Sequence, residues 1–291
     1  VITVLLVSLA AAACFGVSSA LQHAAVGRAR PRAALSPGLL VEVARRPGWQ
    51  LGALIQVTGV ALHLYAVNLG ALSVVQPLLT VGLVIALEAQ RLSGRRIPDG
   101  ARSASALVIV GLAVFLVGTP EPGSELHGYP LAGGLFAGAV LIAALVAGLR
   151  RAGGVRAIAF GAAAGTLMAT SAATGKAWGT ILRTEGWPEL LSSWQLWVGL
   201  ALGLGGLLVS QAAFQAGPLA GPLASMMAVD PVIGVVLGVV MFGEPLDTGF
   251  GMVRQVAGLT LAVVGVVLLA RVQGRMVGEP RESRPGVTAS A

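Results

Sequence analysis

Residues 217–243 read GPLAGPLASMMAVDPVIGVVLGVVMFG, an apolar run whose single charge, Asp230, stands directly before Pro231. A helix crossing the hydrocarbon core of a bilayer needs about 20 mostly apolar residues. The stretch therefore predicts a membrane span with a carboxylate deep inside it. Comparable runs lie near 1–26, 49–69, 70–90, 102–119, 130–149, 155–182, 195–215 and 251–272. Together they predict an all-α, polytopic membrane protein with about nine transmembrane helices. Leu69-Gly70 and Ala216-Gly217-Pro218 mark very short turns, between the second and third and the seventh and eighth spans.

Composition points the same way. The 291 residues are 56% hydrophobic and 11% charged, with a mean hydropathy of +0.86. A soluble domain carries about 25% charged residues, so lipid is the expected solvent. The 41 glycines fit close helix packing in a bilayer. The one cysteine, Cys14, rules out an intramolecular disulfide and a zinc cluster. Ala11-Ala12-Ala13-Cys14 resembles a lipoprotein cleavage site, but no basic segment precedes it and the apolar run continues to Val26. The expectation is a first membrane helix rather than a signal peptide.

The charges test the count. Nine spans place sixteen of the nineteen basic residues on one side: Arg28, Arg30, Arg32, Arg45 and Arg46; then Arg91, Arg95, Arg96 and Arg102; then Arg150, Arg151 and Arg156; and in the tail Arg271, Arg275, Arg281 and Arg284. Only Arg183, Arg254 and the intramembrane Lys176 fall elsewhere. The positive-inside rule then predicts a multi-pass protein of the cytoplasmic (inner) membrane, with the N-terminus outside and the C-terminus in the cytoplasm. The net charge of +7 lies in short loop clusters with no basic stripe carrying interleaved aromatics, which argues against nucleic acid as a partner. Residues 33–46 hold Ser36-Pro37, Leu39-Leu40-Val41, Glu42 and Arg45-Arg46, and predict a short amphipathic helix on the cytoplasmic face. Residues 273–291, rich in Gly, Pro, Ser and charge, read as a disordered cytoplasmic tail.

Internal similarity divides the chain further. Trp49-Gln50-Leu51 opens the second span and Trp194-Gln195-Leu196 the seventh; Gln76-Pro77-Leu78 has a counterpart in Asp230-Pro231-Val232. Both prolines precede a similar exit at the same distance, Gln90-Arg91-Leu92-Ser93 against Glu244-Pro245-Leu246-Asp247, and the same offset carries Gly111 onto Gly265. Ser18-Ser19-Ala20 likewise matches Thr170-Ser171-Ala172, although the second copy is about nine residues longer between its Trp and Pro landmarks. The expected organisation is a first four-helix repeat at 1–119, a connector with the fifth helix at 120–154, and a second four-helix repeat at 155–272. Helices one to four then correspond to six to nine. The odd number of helices per step inverts the second copy, an arrangement common in secondary transporters with a site at the repeat interface.

This pattern resembles the drug/metabolite transporter superfamily with its EamA-like domain. Val239-Val240-Met241-Phe242-Gly243-Glu244 resembles the hydrophobic-Phe-Gly-Glu ending of that domain's penultimate helix, and the Gly258 to Gly265 spacing is similar to its closing helix. The family's common layout is five helices plus five, whereas the first half here lacks a clear second helix. The nine-helix layout is similar to the NIPA-like magnesium-transporter branch, although no matching acidic cluster is present and no metal site is carried over. The resemblance implies a permease moving a small metabolite or drug-like solute by alternating access, or alternatively a magnesium or other divalent-cation transporter. A non-transporting membrane scaffold or lipid-handling protein is a reading of a different class.

Polar groups within hydrocarbon are costly and so mark candidate sites. Asp230 has two readings, a protonatable carboxylate serving substrate or a coupling proton, and an N-cap for a helix restarting at Pro231. Gln76-Pro77 offers the same helix break without a charge. Lys176, the only lysine, either neutralises Asp230 or an anionic substrate, or snorkels to the outer interface beside Trp178. His63 and Asn68 with Tyr65 in the second span, Gln211 and Gln215 in the seventh, and Gln22 with His23 in the first are cavity candidates or, equally, helix–helix hydrogen bonds. Glu88 is expected to pair with Arg91 or Arg95, and Glu244 to lie at the interface. No P-loop, catalytic triad or His/Cys metal spacing is present, so neither enzyme activity nor a cofactor is expected. The expected partners are a small-molecule or ion substrate and the lipid bilayer; a homodimer is allowed.

Overall fold

A computed structural model describes residues 2–29, 37–92, 100–116, 130–217, 219–244 and 248–278. Among these residues every regular element is helical. In chain order they are α1 (Ile2–Val26), α2 (Pro37–Val43), α3 (Pro47–Leu69), α4 (Leu72–Leu79), α5 (Val81–Leu92) and α6 (Ala101–Leu116). There follow α7 (Pro130–Arg150), α8 (Gly153–Thr184), α9 (Trp187–Ser192), α10 (Trp194–Ala216), α11 (Ala220–Phe242) and α12 (Phe250–Gly278). Helix is the form these sequences must take in lipid, because each backbone N–H and C=O then finds its partner inside its own segment.

Among the described residues, seven stretches are long and apolar enough to cross a membrane: α1, α3, Leu72–Ala89 across α4 and α5, Gly133–Arg150 of α7, α8, α10, and Gly221–Phe242 of α11. The chain is a multi-pass membrane protein. The fourth and ninth expected spans coincide with shorter apolar stretches, Ala106–Phe115 and Phe250–Gly265. Helix α12 continues past the expected boundary at 272 to Gly278, so the start of the expected disordered tail is helical. The remainder of that tail, residues 93–99 with Arg95 and Arg96, and His127 lie outside the described residues.

Packing centres on two helices rich in small residues. α1 lies against α3 and the α4–α5 pair; α8 lies against α10, α11 and α7 and is buried over most of its length. The α8 run Gly161–Gly165, all Gly and Ala, explains how α11 comes so close. A Cβ on Gly165 would fall 2.6 Å from the Met226 carbonyl oxygen. α6 and α12 pair separately in antiparallel fashion: Gly111 meets Gly258 and Ala262, while Gly265 meets Ala104 and Val108. α4 joins the two groups by packing along α11.

The two intramembrane prolines behave differently. Near Pro77 the helix breaks at Thr80, where Thr80 N–H donates to Pro77 O (3.1 Å) and Leu83 N–H to Thr80 O (3.1 Å) before α5 resumes. At Pro231 the expected break is absent: α11 runs unbroken from Ala220 to Phe242. A proline deletes one amide hydrogen, and tight neighbours on α8 and α4 hold the helix together around that defect. The N-cap reading of Asp230 is thereby corrected.

The α6–α12 crossing yields a direct test. A Cβ on Gly258 would lie 2.5 Å from Phe115 N and 2.7 Å from Gly111 O. Gly258→Ala should destabilise the protein by about 1–3 kcal/mol, the usual range for overpacking. Gly134→Ala, where nothing lies within 4 Å, should leave the melting temperature of purified protein unchanged.

Candidate functional site

One end of the bundle is held by a buried carboxylate. α11 finishes at Phe242, and Gly243 adopts the left-handed conformation (φ 59°), turning the chain back toward the bundle. Glu244 then enters the protein, its side chain fully buried. Its oxygens accept from the first amides of α4, Leu72 N–H (2.7 Å) and Ser73 N–H (2.8 Å). Lys176 of α8 completes the arrangement with an ion pair to Glu244, its ammonium 4.9 Å from the centre of the Phe242 ring. A carboxylate at a helix N-terminus satisfies otherwise orphaned donors and complements the helix dipole. The expectation of an interfacial Glu244 is therefore corrected. So is that of a Lys176 that neutralises Asp230 or snorkels: its side chain is 12% exposed and committed to Glu244.

Toward the opposite end the helices are linked by a belt of amides. Gln22 Nε2 donates to Ser18 Oγ (2.8 Å), Gln211 Nε2 to Gln22 Oε1 (2.6 Å), and Trp49 Nε1 to Gln211 Oε1 (3.1 Å). Ser18 Oγ donates in turn to Gln56 Oε1 (2.8 Å). The belt ties α1, α3 and α10 together.

Between these ends lies a cavity of about 380 Å³, lined from α1, α3, α4, α8, α10 and α11. That is within the usual size of a small-molecule site. Its walls are mainly apolar, with Phe15, Met168, Trp178, Phe214, Met226 and Met227 among them. On α3 and α10 the lining residues Val57 and Leu204 are 65% and 67% exposed, so the apolar wall continues to the outer surface. Polar groups are few: Ser19, Gln22, Gln56, His63, Ser171, Ser210 and Asp230. Among the described residues, Asp230 is the only charged side chain in the lining. It is buried, and its Oδ1 has no hydrogen-bond partner among the described residues.

Of the residues singled out from the sequence, Asp230, His63 and Gln22 line this cavity. Gln211 stands behind Gln22 in the belt. Asn68 lies outside the cavity, donating to Leu64 O (2.8 Å) and Gly175 O (3.3 Å) and so joining α3 to α8. Gln76 is fully buried against Gly234 of α11, away from the lining. Tyr65 is exposed on the outer surface. Glu88 pairs with Arg91 (3.4 Å). Sequence reasoning missed Trp49 and Gln56 of the belt, and Thr80. A polar residue four positions after Gln76, on the same helical face, was the available signal for Thr80. No group of three or more His, Cys, Asp or Glu suited to a metal ion occurs among the described residues.

No protein-family model, curated protein or solved structure matches the chain.

The Lys176–Glu244 arrangement is testable by stability. Lys176→Met leaves a buried carboxylate without its counter-charge, and breaking such a pair costs about 3–5 kcal/mol. Chemical denaturation in mixed micelles should show that loss, and Lys176→Met combined with Glu244→Gln should recover part of it.

Proposed function

We propose that the protein is a secondary transporter of the drug/metabolite transporter type, moving a small metabolite or drug-like solute across the cytoplasmic membrane by alternating access. The observation carrying this reading is the cavity, which has a lone, unpartnered carboxylate at its wall and receives lining from both α1–α4 and α8–α11. Binding at the interface between two helix groups is how such transporters expose one site to alternate sides.

The proposed inverted repeat is supported by paired contacts. α1 packs on α3 and α5 as α8 packs on α10 and α11. In the α6–α12 crossing the offset that carries Gly111 onto Gly265 also carries Gly258 and Ala262 onto Ala104 and Val108, the residues each glycine meets. On this reading α6 and α12 complete nine spans, with α7 as connector. The divalent-cation alternative draws less support, since a dehydrated magnesium site uses several hard oxygen ligands and the cavity offers one carboxylate.

In alternating access, one end of the cavity closes while the other opens. The amide belt, whose Gln22 and Gln56 line the cavity, is the closure at one end, made of polar contacts that can be exchanged for water when that end opens.

A thermal-shift screen of metabolites, drugs and divalent ions should yield a stabilising solute whose flux can be followed in proteoliposomes. Asp230→Asn is expected to abolish or uncouple that flux while the protein remains folded; normal flux in the variant would make Asp230 structural. A reporter fused to the C-terminus should be active only on the cytoplasmic side, as the arginine distribution requires.

A further inference from the structure

Three polar side chains along the α4–α11 crossing lack partners among the described residues, and lipid offers them none. Both amide atoms of Gln76 are unsatisfied at 0% exposure, Thr80 Oγ1 at 2%, and Asp230 Oδ1 at 7%. The helix register brings them together. Ser73 N lies beside Gly238 and Gln76 packs on Gly234, so α4 and α11 run antiparallel, one turn against one turn. The next turn of each places Thr80 opposite Asp230. Unpaired buried polar groups are rare in folded proteins and point to a missing ligand or water.

We propose that Gln76, Thr80 and Asp230 form a binding site for a small monovalent cation, sodium in the cell, and that this site adjoins the solute cavity through Asp230. The donor set is all hard oxygen: one carboxylate, one amide oxygen and one hydroxyl. The backbone adds to it. Pro77 and Pro231 supply no amide hydrogen to the carbonyls of Ser73 and Met227. Thr80 N–H turns to Pro77 O, leaving the Gln76 carbonyl without its usual donor. Carbonyls freed at helix irregularities are typical ligands for a coupling ion in a membrane.

Charge selects the ion. Asp230 is the one carboxylate here, while Glu244, two turns further along, is already neutralised by Lys176. A monovalent cation makes the site neutral; a divalent one would leave excess charge in a low-dielectric surrounding and would hold several waters. Close packing at Gly234 and Gly165 favours a small ion over potassium. Asp230 also lines the cavity, whereas Gln76 and Thr80 do not. A solute reaching Asp230 therefore senses whether the cation is present. This proposal rests on the reading of Asp230 as the group that couples transport.

The test uses purified full-length protein in detergent at constant ionic strength, with sodium chloride replacing choline chloride. The melting temperature is expected to rise saturably with sodium, less with lithium and not with potassium. The rise should be lost in Asp230→Asn and in Thr80→Val; if the first does not fold, the second carries the test. Equal melting in sodium and choline would overturn the proposal, as would a shift retained in Thr80→Val or a stability that follows pH alone. Solute flux without any sodium effect would sink the cation site and leave the transporter reading standing. A sodium shift with no flux of any solute would do the reverse.

Discussion

The buried carboxylate of Glu244 is the interaction on which one end of the bundle depends. It sits at the end of α11, accepts from the first two amides of α4, and meets the ammonium of Lys176 on α8. Three elements distant in sequence are thereby held at one point. Each partner alone would be costly in lipid, where an orphaned amide or an unpaired charge finds no water. Together they form a neutral, hydrogen-bonded unit. The Phe242-Gly243-Glu244 ending has a physical meaning in that light: the ring lies beside the ammonium, the glycine takes a left-handed turn, and the acid returns into the protein.

Asp230 is the contrasting case. It occupies the same kind of environment with no ion-pair partner among the described residues, while the chain's only lysine is spent on Glu244. One acid is structural because its partners are built in. The other faces a cavity and carries an oxygen with no partner among the described residues, and the chemistry left open there is the chemistry available for a ligand. Function and stability are divided between two carboxylates that composition alone treats as equivalent.

Small residues make this division possible. Gly and Ala on α8 let α11 approach until backbone touches backbone, and Gly111, Gly258 and Gly265 do the same for α6 and α12. Helices in a bilayer gain little from burying apolar surface against one another, so close van der Waals contact and a few polar links carry the association. The amide belt of Gln22, Gln211 and Trp49 is one such link.

The sequence by itself determined that the chain is helical and crosses a membrane several times, because hydrophobic runs of spanning length have no other stable form in lipid. It also located Asp230, Gln22 and His63, since a polar residue within such a run is visible without coordinates. Tertiary structure alone decided which polar groups meet. Lys176 pairs with Glu244 rather than Asp230, Asn68 joins two helices away from the cavity, and Pro231 interrupts no helix while the chain near Pro77 breaks at Thr80. Pairing depends on helix rotation and register across the bundle, which are set by how glycines and side chains interlock between segments far apart in sequence. No local pattern encodes that geometry.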